Sequence, residues 1–70
     1  MSAKAAEHHK RAADHHALAA RHHTEAARLY DAGNHEKAAH HAQMAFAHSL
    51  LAIDCAEQAA KEHAETHGSK

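Results

Sequence analysis

The pattern of apolar and polar positions repeats every seven residues along the first half of the chain. Each recurring alanine but the last is followed three residues later by two adjacent histidines. Such a repeat is typical of a helix that packs against another helix along one seam. Strong helix formers fill the segment, so the pattern predicts a first helix over about residues 3–32, with Ser2 as its N-cap. The recurring alanines are Ala5, Ala12, Ala19 and Ala26.

A short break then separates two helical segments. Gly33 can adopt the left-handed conformation that ends a helix, and Asn34 can cap the next one. The second helix is predicted over about residues 35–67, with Gly68 ending it. Two long helices joined by so short a connection must lie antiparallel. The sequence therefore predicts an all-α fold in which residues 1–70 form a single two-helix hairpin.

The heptad register places histidines beside the alanines on the helix–helix seam. With the alanines at the a positions, the first histidine of each pair falls at d and the second at e. The d positions of the first helix are His8, His15 and His22, and its e positions are His9, His16 and His23. In the second helix, Ala38, Ala45, Ala52 and Ala59 take the a positions, and His41, His48 and Cys55 take the d positions.

Folding the chain back at Gly33 brings these d positions into matching layers. His22 then faces His41, and His15 faces His48. His8 faces Cys55 in the third layer. Alanines fill the layers between them, and small residues let helix axes approach toward the lower end of the usual 8 to 10 Å range. We therefore expect imidazoles from opposite helices to come within reach of a shared ion.

The middle of the second helix carries more large apolar residues than one hairpin can cover. They lie on several sides of the helix and are Met44, Phe46, Leu50, Leu51 and Ile53. We expect this belt to contact a second copy, giving a homodimeric four-helix bundle. If both turns lie at the same end of the bundle, each histidine layer contains four donors, two from each hairpin. If the hairpins pack head to tail, the Cys55 layer meets the partner's His22 and His41 layer.

Charge and composition limit the classes of partner that we expect the chain to bind. The net charge is −1 with histidine neutral, and the basic residues are dispersed, so we expect no nucleic-acid partner. No segment is apolar enough for a signal peptide or a membrane span, so we expect a cytoplasmic protein without membrane association. Cys55 is the only cysteine, which excludes an internal disulfide and leaves a free soft ligand.

Twelve histidines are the most informative feature of the composition. Imidazole and thiolate donors suit first-row transition metals, here Zn, Cu, Co or Ni. Histidines seven apart on one helix are about 10.5 Å apart, so the ligands of one ion must come from different helices. The sequence predicts a metal-binding protein for buffering, storage or sensing, with the d positions as ligands. The e-position histidines are equally compatible with a second set of ligands and with the rim of the seam.

Two other functions fit the same pattern. Facing histidines in a helical bundle can ligate haem iron on both sides. A structural or pH-responsive module is the other alternative, because protonating stacked imidazoles near pH 6 places like charges in the seam. We predict no enzymatic activity. The chain lacks the His-Glu-x-x-His sequence and has no glutamate followed three residues later by histidine, so the usual helical metal-catalyst motifs are missing.

The repeated units also carry a resemblance. Three Ala-Ala-x-His-His units begin at Ala5, Ala12 and Ala19, and Tyr30-Asp31-Ala32-Gly33-Asn34-His35-Glu36-Lys37-Ala38-Ala39-His40-His41 follows them. Together they resemble small histidine-rich helical-hairpin proteins of bacteria. The resemblance covers nearly the whole chain and implies the hairpin and bundle; it implies no catalytic residues.

Overall fold

A computed structural model describes residues 3–67 as two helices packed against each other. Helix α1 spans Ala3–Asp31 and helix α2 spans His35–His67, and the described part of the chain contains no strand. The predicted all-α hairpin is confirmed, with α1 ending one residue before the expected boundary. The predicted cap at Ser2 and the predicted helix end at Gly68 lie outside the described residues.

The turn between the helices is held by backbone hydrogen bonds. Gly33 has a φ of 82°, in the left-handed region, and its N–H donates to the carbonyl of Tyr30 at 3.0 Å. The N–H of Asn34 donates to the carbonyl of Leu29 at 2.9 Å, which completes a Schellman motif. Asn34 then caps α2, because its side-chain Oδ1 accepts from the N–H of Lys37 at 3.4 Å. The turn thus fixes where α1 ends and where α2 begins.

Alanine forms nearly all of the hairpin core. Of the eight buried residues in the described part of the chain, seven are alanines at the a positions, and the eighth is Leu29 beside the turn. Ala38, Ala45 and Ala52 have no exposed surface at all. Because an alanine side chain buries little apolar area, this core stabilises the hairpin weakly for its length. The buried alanines are Ala12, Ala19, Ala26, Ala38, Ala45, Ala52 and Ala59.

The d positions lie at the edge of this core, half-buried between the alanine layers. They include the histidines predicted for the seam, together with Cys55. The two helices form an elongated rod with extents of 55 × 16 × 13 Å. Large apolar side chains remain outside: Tyr30, Phe46, Leu50, Leu51 and Ile53 are each between 43% and 59% exposed. Neither helix contains, within residues 3–67, an apolar stretch long enough to cross a membrane.

Candidate metal centre

His15 and His48 face each other across the seam as the sequence predicts. Their Nδ1 atoms are 2.9 Å apart, and their ring centroids are 5.2 Å apart with the planes inclined by 25°. One ring comes from the middle of α1 and the other from the middle of α2. The fully buried Ala45 and Ala52, on either side of His48, let the helices approach closely enough for this contact.

His22 and His41 repeat this arrangement one heptad nearer the turn. Their Nδ1 atoms are also 2.9 Å apart, and their ring centroids are 5.1 Å apart. The two pairs are in contact, because His22 stacks on His48 with a centroid distance of 5.7 Å and nearly parallel planes. His15, His48, His22 and His41 thus form one continuous row of rings along the seam, called here the imidazole column.

Each Nδ1···Nδ1 contact has the length of a hydrogen bond. A neutral imidazole has a proton on one nitrogen and a lone pair on the other, so such a bond forms when one ring donates from Nδ1 and the other accepts at Nδ1. A second proton at the same contact would set two N–H groups against each other. Each pair therefore brings two ring nitrogens to a distance at which a single proton can lie between them.

A metal ion needs only a little more space than that proton. Two nitrogens bound to one tetrahedral zinc ion lie about 3.3 Å apart, given bonds of about 2.0 to 2.1 Å, and a linear two-coordinate ion needs about 4 Å. The observed 2.9 Å separation is shorter than either value by about 0.4 to 1.1 Å. Small rotations of half-buried side chains can supply this difference. Haem fits the same contacts poorly, because a porphyrin must lie between its two axial imidazoles.

The surroundings of His22 favour its neutral form. The pKa of His22 is lowered from the usual histidine value, first because the seam removes water from the ring and then because His41 and His48 would repel its charge. His40 and Arg21 add smaller repulsions of the same sign. Metal ions bind imidazole in its deprotonated form, so this environment lowers the competition from protons at neutral pH.

An open cleft of about 420 Å³ lies against one pair. It is lined by Leu18, Arg21, His22, Thr24, Glu25 and His41. Glu25 is the acidic group of this cleft, and Arg28 holds its carboxylate through contacts of 2.9 and 2.7 Å. This hydrogen bonding lowers the pKa of Glu25. The cleft gives solvent and small ions a path to the His22 and His41 pair.

At the end of the hairpin away from the turn, His8 contacts a carboxylate of α2. His8 contacts Glu62, with Nε2 and Oε2 3.8 Å apart, and both side chains are about three-quarters buried. Glu62 lies seven residues after Cys55 and is the next d position of α2, so the side chain of His8 reaches toward the next layer. Cys55 is half-buried and carries a free thiol. That His8 and Cys55 bind a metal ion together stays a prediction.

The remaining histidines lie outside the column. The predicted e-position residues His9, His16 and His23 are exposed along one flank of α1. His63 and His67 form a separate stacked pair at the end of α2, with ring centroids 4.6 Å apart. Within residues 3–67, no group of three or more His, Cys, Asp or Glu side chains is close enough to hold an ion jointly. The hairpin alone therefore offers two nitrogens at each pair of the column.

Sequence reasoning overlooked two carboxylates near the predicted ligands. Glu62 continues the d series of α2, and extending the heptad by one more repeat would have found it. Glu25 lies one turn after His22 on α1 and takes the g position before Ala26, which flanks the seam. Its place beside His41 depends on how the helices pack. Comparison with protein families, curated proteins and solved structures gives no match to this chain.

Proposed function

We propose that this protein binds first-row transition-metal ions between its helices and serves to buffer, store or sense them. The observation that carries the proposal is the pair of Nδ1···Nδ1 contacts at 2.9 Å, His15 with His48 and His22 with His41. The two helices each present a nitrogen to the same point twice, at the spacing of one heptad. Zn, Cu, Co and Ni are the ions that imidazole donors suit best.

The small number of protein donors favours exchangeable binding. Structural zinc sites use four protein ligands, whereas a site with fewer leaves positions open for water or a third donor. Each pair supplies two nitrogens from one chain, and the rings are half-buried. Ions held this way can leave through the cleft beside His22 and His41, which suits buffering or sensing better than a permanent structural role.

Self-association belongs to the same proposal. Small helical proteins with so little apolar core usually need a metal, a disulfide or a second chain for stability. The exposed apolar residues of α2 supply a surface for a homodimer with four helices. In such a dimer the metal adds to stability by binding only the folded state.

Metal titration of matched variants tests the proposal. Untagged protein, purified without metal-affinity resin, is titrated by calorimetry with Zn(II), Cu(I), Cu(II), Ni(II) and Co(II). The double variant His15→Gln/His48→Gln removes one pair but leaves side chains that can still hydrogen-bond across the seam. We expect at least one ion to bind the wild type and this variant to bind less of it.

The control variant is His35→Gln/His40→Gln, which removes the same number of histidines from exposed positions. We expect its uptake to match the wild type. Equal uptake by the two double variants would place the bound ions on surface histidines and contradict the proposal, as would wild-type protein that takes up none of the five ions.

A pH-responsive helical module is a second candidate, favoured by the continuity of the imidazole column. His22 contacts both His41 and His48, so a charge on any of these rings is repelled by charges on the next. If no ion binds but helicity or self-association falls near pH 6, the result supports the pH-responsive function and contradicts metal binding. The two functions can also coexist, because protons and metal ions compete for the same nitrogens.

A further inference from the structure

A stripe of large apolar side chains lies on the outer face of α2. Phe46, Leu50 and Ile53 are 59%, 47% and 51% exposed. At about 100° per residue, they lie about 100° to 140° around the helix from the nearer of the buried alanines Ala45 and Ala52. The stripe therefore points away from α1, and nothing within residues 3–67 covers it. It is called here the outer stripe.

The residues of the outer stripe are spaced almost symmetrically on either side of Leu50. Phe46 precedes Leu50 by four residues, and Ile53 follows it by three. One turn farther out on the same face, Gln43 and Glu57 lie seven residues on either side of Leu50. A surface that pairs with a copy of itself around a twofold axis needs this kind of symmetry.

We infer that the outer stripe is the dimer interface and that two copies of α2 pack antiparallel around a twofold axis at Leu50. Leu50 then packs on its own copy, and Phe46 of each chain packs on Ile53 of the other. Gln43 of each chain reaches Glu57 of the other, where an amide N–H can donate to a carboxylate oxygen. Farther out, Ala39 and Ala60 meet as two small residues.

The outer stripe exposes apolar surface that a second copy can cover. Phe46, Leu50 and Ile53 are about half exposed, so a twofold contact removes apolar surface of both chains from water. The charged neighbours Asp54 and Glu57 are acidic, so the stripe does not suit an anionic lipid surface.

This arrangement makes the proposed metal site a property of one chain. The imidazole column lies along the seam of each hairpin, while the twofold axis passes through the opposite side of α2. Layers with four histidines from two chains, as considered from the sequence, do not form around this axis. The inference concerns assembly and holds whether or not the column binds metal.

Complementary charge variants test both the surface and its direction. Phe46→Glu and Ile53→Lys are each expected to weaken self-association of metal-free protein in sedimentation equilibrium by more than about tenfold. Mixing the two restores it, because the antiparallel register sets the introduced carboxylate of one chain against the introduced ammonium group of the other and leaves one native Phe46 and Ile53 contact. A parallel register would not join these positions.

The control pair is Ala13→Glu and Ala20→Lys, which lie at the equivalent heptad positions of α1 and are also exposed. We expect neither to change self-association, and circular dichroism establishes that every variant keeps its helices. Wild-type protein that stays monomeric at about 100 μM would overturn the inference. So would a wild-type dimer for which the mixture of variants gives no recovery, or wild-type protein that partitions onto neutral vesicles in place of dimerising.

The end of α2 carries a second, independent feature. The Nδ1 of His67 lies 2.7 Å from the hydroxyl oxygen of Thr66 and 3.3 Å from the carbonyl oxygen of His63. Nδ1 therefore lies against oxygen atoms of its own helix. The Thr66 hydroxyl is itself directed at the carbonyls of Glu62 and His63, at 3.2 and 3.1 Å. A proton on Nδ1 of His67 would be donated to the oxygens beside it, which would leave the lone pair on Nε2.

The geometry points to a divalent metal site formed by the Nε2 atoms of His63 and His67. Histidines four apart on a helix share one face, and these rings already stack at 4.6 Å with planes inclined by 19°. Metal-binding histidines usually donate their other ring N–H to a nearby oxygen, and the Thr66 hydroxyl and the His63 carbonyl lie beside Nδ1 of His67 for this role. Both side chains are exposed, so the site would take Zn(II), Co(II), Ni(II) or Cu(II) directly from solution.

Co(II) titration followed by NMR tests this site separately from the imidazole column. We expect paramagnetic shifts at the amides of residues 60–67 in the wild type. Those shifts disappear in His67→Gln and persist in His35→Gln, an exposed histidine at the other end of α2. Shifts confined to the column, or shifts near residue 63 that survive His67→Gln, would overturn the inference.

Discussion

At the residue scale, the two histidine contacts are the unusual feature of this protein. A buried or half-buried imidazole without a partner costs on the order of 1 to 3 kcal/mol, so each ring needs the other. The heptad predicts which histidines meet, because the heptad position of a residue determines whether its side chain lies on the face toward the other helix. It does not predict that the meeting atoms are Nδ1, or that His22 also stacks on His48, because those features depend on side-chain rotation.

Replacing one whole pair with leucine separates stability from binding. In His15→Leu/His48→Leu, apolar side chains of similar size fill the seam and no polar group is left unpaired. We expect the metal-free protein to unfold at an equal or higher urea concentration than the wild type, while metal uptake falls. A marked loss of metal-free stability would contradict this expectation, because it would mean that the contact between His15 and His48 itself stabilises the metal-free fold.

Acidification should destabilise the hairpin near pH 6. The pKa of His22 is lowered in the folded protein, mainly by desolvation and then by His41 and His48. The unfolded chain therefore binds more protons between the lowered value and the usual value of about 6.5. Stability is complete above this window and is lost as the pH falls through it. Urea unfolding at pH 7.5 and 5.5 measures the effect, and equal midpoints would contradict it.

At the element scale, the turn and the alanine layers set how closely the helices approach. Asp31-Ala32-Gly33-Asn34 predicts the turn well, because a left-handed glycine and an asparagine cap are local signals. The close seam follows from alanines that have no exposed surface at positions 38, 45 and 52. The pairing of His8 was harder to predict, because near the open end a half-buried side chain can reach the neighbouring layer, here that of Glu62.

A single change at Gly33 tests the turn. A Cβ there would meet no atom within 4 Å, so the effect of Gly33→Ala comes from the backbone conformation alone. We expect a loss of about 1 to 2 kcal/mol in the free energy of unfolding, because residues with a side chain disfavour the left-handed region. Thermal unfolding measures this loss. Unchanged stability would mean that the helix ends can rearrange without the Schellman motif.

At the scale of the whole molecule, a thin alanine core limits the stability that one hairpin can have. The hairpin is a rod of 55 × 16 × 13 Å with its large apolar residues on the surface. The excess of apolar residues on α2 over α1 predicts a partner from sequence alone. The antiparallel pairing that we propose could not be derived from the sequence alone, because the outer stripe is defined by its place opposite the buried alanines.

Bound metal should therefore supply a large fraction of the total stability. An ion that binds only the folded state at 100 times its dissociation constant adds about 2.7 kcal/mol. For a chain of this size, that raises the melting temperature by roughly 10 to 20 °C. We expect this shift in calorimetry on adding the preferred ion and its reversal by a chelator. The His15→Gln/His48→Gln variant should show a smaller shift, and an equal one would exclude the column.

Long-range ¹H–¹⁵N NMR of the histidine rings, with and without Zn(II), tests the central claim most directly because it reports which ring nitrogen holds the ion. Our account predicts that Zn(II) binds Nδ1 of His15, His22, His41 and His48, with the remaining proton on Nε2. Ring signals of these four residues that stay unchanged while exposed histidines respond would contradict it.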